Sequence, residues 1–264
     1  MHSRLITAAE LGLSPDYTFA DLLGSNSSVF IYGKQGLIGW GEERRLETTG
    51  PNRVLELDSL WKDLVAQAEI TDEANLSGSG LISFGSIAFS DQSKTKSVLV
   101  IPKVVVGKQG DTLWLTTINI DETEALKLIN LDSNFTSVSF EPGQISTEQY
   151  LLNVEKGLEV IASGQVEKVV LARDLSASVS KAFNINPALR KLEKKFDSCY
   201  IYSVAGMFGA SPELLVKVNH SEFSARVLAG TAGRGTDPGV DQAIGSALNE
   251  SPKNEPSISS LLIH

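Results

Sequence analysis

The sequence is poor in the residues that cross-link small proteins or bind metals. Its 264 residues include a single cysteine, Cys199, so no intrachain disulfide can form and nothing calls for an oxidising compartment. Of three histidines, His2 and His264 lie at the chain ends and His220 in a turn-like stretch. Cys199 has no metal-spaced partner, so a zinc site is not expected. No run approaches the roughly 18 apolar residues that span a bilayer. The longest, 98–106, is interrupted by Pro102 and Lys103, and 5–9 is too short for a secretory core. Positive charge is in deficit: 23 Lys and Arg against 32 Asp and Glu leave a net charge of −9. That excess repels phosphate backbones and anionic lipid, so neither nucleic acid nor membrane is an expected partner, and a cytoplasmic location is.

What remains is an ordinary globular composition, 42% hydrophobic, long enough for a sizeable core. The first half reads as hairpins. Stretches 28–32 and 37–40 flank Gly33-Lys34-Gln35-Gly36, and 97–106 and 112–118 flank Gly107-Lys108-Gln109-Gly110-Asp111. A third strand is expected at 81–84. Leu57, Leu60, Leu64, Val65 and Ala68 recur at helical spacing and predict a helix over 56–69. In the second half Ser146 and Gln149 form a capping box ahead of Leu151, Val154, Leu158 and Ile161, with Gly164 as the stop. A strand is predicted at 168–173, and a helix from Asn186 as N-cap with Pro187 in its first turn. Strands at 200–204, 214–218 and 222–228 follow. A last helix opens at Asp237-Pro238 with Val240, Ala243, Ile244 and Ala247 inward. Hairpins with interposed helices indicate an α+β arrangement.

Three segments are not explained by periodicity. In Lys168-Val169-Val170-Leu171-Ala172-Arg173, alternation puts Lys168, Val170 and Ala172 on one face and Val169, Leu171 and Arg173 on the other. On pattern alone strand-end solvation is the favoured reading of the two charges. In Gly209-Ala210-Ser211-Pro212-Glu213-Leu214-Leu215, Glu213 stands between a proline and an apolar run. The serine there is a poor nucleophile-elbow match, because Glu213 occupies the place of the second glycine. Leu228-Ala229-Gly230-Thr231-Ala232-Gly233-Arg234-Gly235 exposes backbone N–H groups, yet fits neither the P-loop nor the dinucleotide fingerprint.

In order, Lys168 to Arg173, Gly209 to Leu215 and Leu228 to Thr231 resemble motifs of the chorismate-utilising enzymes, which include anthranilate, aminodeoxychorismate, salicylate and isochorismate synthases. Gly36-Leu37-Ile38-Gly39-Trp40-Gly41 and Gly80-Leu81-Ile82-Ser83-Phe84-Gly85-Ser86 look like the isochorismate synthases of menaquinone pathways. The resemblance implies an α+β fold of the anthranilate synthase component I type, two large packed β-sheets flanked by helices. It treats 1–264 as one chorismate-binding domain, with a β-rich half (1–140), a motif-bearing half (141–254) and a tail (255–264) outside the family pattern. It also implies a monomer that takes chorismate with Mg2+ and adds water at C2 as the C4 hydroxyl departs. Lys168 would then be the general base and Glu213 the general acid, with Ala229, Gly230 and Thr231 against the substrate.

Two positions bear on the nucleophile. Isochorismate and salicylate synthases carry lysine where Lys168 stands, whereas ammonia-using members carry glutamine. Water needs a base to take its proton, and ammonia does not. Ala229 stands where aminodeoxychorismate synthases place an attacking lysine, which excludes that covalent route. After Lys253-Asn254 the family carries Glu-His, the glutamate binding magnesium; here Ser257 and Ile258 stand in that place. Serine is a weak ligand for a hard cation. A chain that leaves the family pattern here is expected to lack the rest of the metal site, as a shift of reading frame would cause. Salicylate synthase, anthranilate synthase, and a non-catalytic remnant or binding module of the same fold remain alternatives, as do menaquinone and siderophore pathways.

Overall fold

The computed structural model describes residues 1–24, 27–129, 138–179, 183–219, 222–226 and 237–249. The chain opens with β1 (His2–Ile6), a 3-10 turn (Phe19–Leu22), β2 (Ser28–Tyr32), β3 (Gln35–Trp40), β4 (Arg44–Thr48) and α1 (Arg53–Gln67). Then come β5 (Thr71–Asp72), β6 (Phe84–Ser86), β7 (Ser97–Ile101), β8 (Val104–Gln109), β9 (Thr112–Thr117) and α2 (Glu122–Leu128). The second half holds β10 (Val138–Pro142), α3 (Thr147–Ala162), β11 (Leu175–Val179), α4 (Asn186–Lys195) and β12 (Tyr200–Val204). It closes with β13 (Met207–Ser211), β14 (Leu214–Asn219), β15 (Glu222–Arg226) and α5 (Pro238–Asn249). The class is α+β, as the hairpin pattern indicates.

Eight strands form one sheet in the order β13-β12-β2-β3-β8-β9-β1-β5. All its pairs are antiparallel except the short one between β1 and β5. The period-2 alternation of these strands makes the core. Val29 and Ile31, Ile38 and Trp40, Val104 and Val106, and Leu113 and Leu115 all point inward, against Phe19, Leu22, Leu23 and Leu189. Each such buried side chain contributes about 1.5–3 kcal/mol relative to exposure. A smaller sheet, β4-β7-β6, meets the large one where Phe84, Val98 and Val100 pack with Val204, Leu37 and Ile82. The two N-terminal motifs, 36–41 and 80–86, therefore meet at this seam.

Several expectations are corrected by geometry. The run 97–106 is two strands in different sheets, because Pro102 has no N–H to donate and the chain leaves one ladder for the other there. The strand expected at 81–84 begins only at Phe84, the first residue that pairs with β7. Helix α4 has Ile185, not Asn186, as its N-cap; the Asn186 N–H donates to the Asn184 side chain 3.0 Å away. Strand β13 is an addition, paired residue for residue with β12. The predicted inward face of α5 is not buried: Val240 is 44% exposed, and Ala243 and Ala247 are exposed too.

The seam between β1 and α2 is electrostatic. Arg4 donates from Nε to Glu122 Oε2 at 2.9 Å, and from Nη2 to Glu122 Oε1 and to Glu10 Oε1. Arg4 is the main cause that holds the Glu122 carboxyl below its ordinary range. The Glu10 carboxyl is lowered first by the Thr7 hydroxyl, then by the Thr7 backbone and Arg4.

Two tests of packing and charge follow. A Cβ added at buried Gly107 would lie 2.0 Å from Trp114 Cζ2, so Gly107→Ala should cost about 1–3 kcal/mol in urea unfolding; an unchanged midpoint contradicts this packing. Glu122 and Glu10 lie below their unfolded value of about 4.3, so their contribution to stability is full above that pH and lost as pH falls through the folded values. Arg4→Met should therefore show a smaller loss of stability than the parent between pH 6 and pH 3. Equal losses would remove the Arg4 cluster from the acid response.

Candidate active site

The segment carrying Lys168 does not pair as a strand: among the described residues, no ladder joins 168–173 to a neighbour. It lies instead along α3. The Ser146 side chain caps that helix by accepting the Gln149 N–H, as the sequence predicts. The stripe expected to face inward is largely open, with Leu151 and Leu158 more than half exposed and no α3 residue buried. The 168–174 segment lies against part of it.

The covering contacts are specific. A Cβ built on Gly157, midway along α3, would stand 3.1 Å from Val169 Cγ1 and 3.9 Å from Leu171 Cδ1. Toward the helix start, Arg173 Nη1 donates to Thr147 Oγ1 at 2.8 Å, and its guanidinium lies over the Tyr150 ring, 5.8 Å from the centroid. Asp174 accepts the Gln144 N–H through its carboxylate at 3.0 Å and the Gly143 N–H through its carbonyl at 3.2 Å. Beside this clasp, the Ser146 hydroxyl holds the Glu148 carboxyl below its ordinary range, with the Glu148 backbone and the Arg173 charge adding to it.

The contacts to α3 come from the row that the sequence alternation groups with Arg173. Val169, Leu171 and Arg173 make the contacts with α3, although every residue of 168–173 is exposed, Val170 most of all at 80%. Lys168 makes no hydrogen bond or ion pair among the described residues. Glu213 follows β13 at an exposed corner. Its N–H donates to the Ser211 hydroxyl oxygen at 3.4 Å, that hydroxyl donates to the Glu213 carbonyl at 3.0 Å, and the Glu213 carboxylate has no partner among the described residues.

No contact joins Lys168 to Glu213. The residue after Glu213, Leu214, lines a groove of about 450 Å³ with Tyr32, Tyr200, Lys108 and Lys217. A cavity of about 710 Å³, bordered by Trp40, Arg45, Ser203 and Phe208, holds neither proposed catalytic group. Ala229, Gly230, Thr231 and Ser257 lie outside the described residues. The anchors Thr147, Tyr150 and Gly157 escaped the sequence reading. A glycine inside an otherwise periodic helix was the available signal, since it costs about 1 kcal/mol there and asks for a packing reason.

Magnesium, expected from the resemblance, needs several hard oxygen ligands. Among the described residues, no group of three or more His, Cys, Asp or Glu side chains comes together to hold an ion. The described residues do not fit it, and no step below passes through it. No helix among them is long and apolar enough to cross a membrane.

Comparison with known proteins supplies the family. Residues 25–256 match the family described as chorismate binding enzyme. The isochorismate synthase MenF of Pasteurella multocida is 24% identical over 244 residues, 86% of this chain and 52% of that protein. Anthranilate synthase component 1 of Lactococcus lactis is 32% identical over 149 residues, 54% of this chain and 30% of that protein. The solved menaquinone-specific isochorismate synthase MenF of Escherichia coli superposes with a TM-score of 0.62 at 18% identity, covering 96% of this chain and 60% of that one. The chain thus spans about half, or less, of the length of these curated relatives. With the match running through both N-terminal motifs and all three motifs of the second half, the chain belongs to the chorismate binding enzyme family.

Proposed function

We propose that this chain carries the acid–base pair of an isochorismate synthase. Lys168 Nζ, as the neutral amine, takes a proton from water, and the water oxygen bonds to C2 of chorismate. Both ring double bonds shift, C1=C2 to C1=C6 and C5=C6 to C4=C5, and the C4–O bond breaks as the Glu213 carboxyl donates its proton to the departing hydroxyl. One water enters and one leaves, so the product is an isomer of the substrate. The roles require an amine whose neutral form is populated, through burial or a nearby cation, and a carboxyl that holds its proton in a partly apolar pocket.

The observation that carries the reading is Lys168 itself. A lysine, not a glutamine, occupies the position, and it is exposed without an ion-pair partner among the described residues. The similarity to an anthranilate synthase favours ammonia as the nucleophile instead. Lys168 weighs against this, because ammonia needs no base, whereas water at neutral pH does. The substrate class rests on the family match over 25–256.

The test is chorismate consumption with magnesium present, products separated by chromatography. Isochorismate is the expected product. Lys168→Gln should lower its formation by about 10²–10⁴-fold and Glu213→Gln by a similar factor, with ammonium salts giving an aminated product in the Lys168 variant. Isochorismate formation undiminished by Lys168→Gln would overturn the assignment. So would ammonium-dependent anthranilate from the parent, or chorismate binding without any turnover.

A further inference from the structure

Arg173 ends the motif that begins with Lys168, yet the proposed reaction gives it no role. In an extended chain, a slip of one residue exchanges the two faces. A hydrogen-bonded ladder normally prevents this, but none holds 168–173 among the described residues. Side-chain anchors are what remain to fix the parity of the segment.

The anchors are spaced to do so. Val169 seats on Gly157, and Arg173 reaches Tyr150 and Thr147. Four extended residues span about 13 Å. The seven to ten helical residues from Gly157 back to Tyr150 and Thr147 span about 10–15 Å. The chain between the anchors is therefore nearly taut. A slip that brought Val170 and Ala172 onto α3 would turn Lys168 toward the helix and pull the guanidinium off both partners.

We propose that Arg173, through Thr147 and Tyr150, is the positioning residue that holds Lys168 on the open side of its segment, with the Val169–Gly157 contact as the second anchor. This rests on reading Lys168 as the base. Arginine suits the place better than lysine, because one planar group donates to a hydroxyl while its face covers an aromatic ring. Asp174 secures the far end by its bonds to Gln144 and Gly143.

The test measures steady-state isochorismate formation in the parent, Arg173→Met, Arg173→Lys, Lys168→Gln and Lys168→Gln/Arg173→Met. It also measures the pH-dependent acetylation rate of the Lys168 amine by mass spectrometry. Arg173→Met should lower kcat by about 10²-fold, the cost typical of a misplacement near 1 Å, with KM little changed and the thermal midpoint retained. Arg173→Lys should recover part of that loss, and the double variant should be no slower than Lys168→Gln alone, because Arg173 acts through Lys168.

A full additive loss in the double variant, an unchanged kcat in Arg173→Met, or a rise in KM alone would overturn the proposal. If the parent makes no isochorismate, or Lys168→Gln leaves its formation intact, the reading of Lys168 as base has failed, and acetylation judges the clasp alone. A Lys168 acetylation profile altered by Arg173→Met supports the clasp; identical profiles contradict it.

Discussion

Successive side chains of an extended chain point to opposite sides, and both halves of this molecule depend on that parity. In the eight-stranded sheet it is enforced by ladders. Tyr32 pairs with Gln35 and Gln109 with Thr112, so Ile31, Ile38, Val106 and Leu113 fall on one face, where apolar burial holds them. Along α3 the same parity has no ladder among the described residues. The contacts there are Val169 on Gly157 and Arg173 on Thr147 and Tyr150, and the consequence we propose for them is chemical: Lys168 held on the face away from the helix.

The two regimes differ in stability as well as in role. No residue of 138–179 is buried, whereas the sheet and the elements against it supply the whole described core. Acid-sensitive contacts occur in both, where Arg4 ties β1 to the start of α2 and where the Ser146 hydroxyl lowers the Glu148 carboxyl at the head of α3. Residues 138–179 thus rest on a few polar and close-packed contacts, with Phe140, Leu151, Leu158 and Val170 uncovered. Regions with few buried apolar contacts open at low free energy.

Much of the frame was legible because local signals and burial agreed. Both hairpins of the first half, the Ser146 cap of α3 and the pairing of β14 with β15 follow from turn glycines, capping chemistry and alternation. Where the sequence misled, a neighbour decided. Val169 to Ala172 have strand composition, but a strand is defined by its partner, and none pairs there among the described residues. Pro102 was visible as an interruption; that it moves the chain between sheets was not, because that choice depends on what β7 and β8 meet. For the site, residue types and order carried the family, and the alternation grouped Val169, Leu171 and Arg173, the residues that contact α3. The Arg173 clasp was invisible because it joins residues 26 apart through a helix face whose register only packing reveals.

The central claim is that an amine at the head of this segment turns water into the nucleophile. Running the chorismate reaction in ¹⁸O-labelled water tests it most directly. The account predicts isochorismate carrying one heavy oxygen, bonded to C2, with the label disappearing along with the product in Lys168→Gln. Isochorismate that forms without solvent oxygen at C2, or labelled product made at the parent rate by Lys168→Gln, would contradict it.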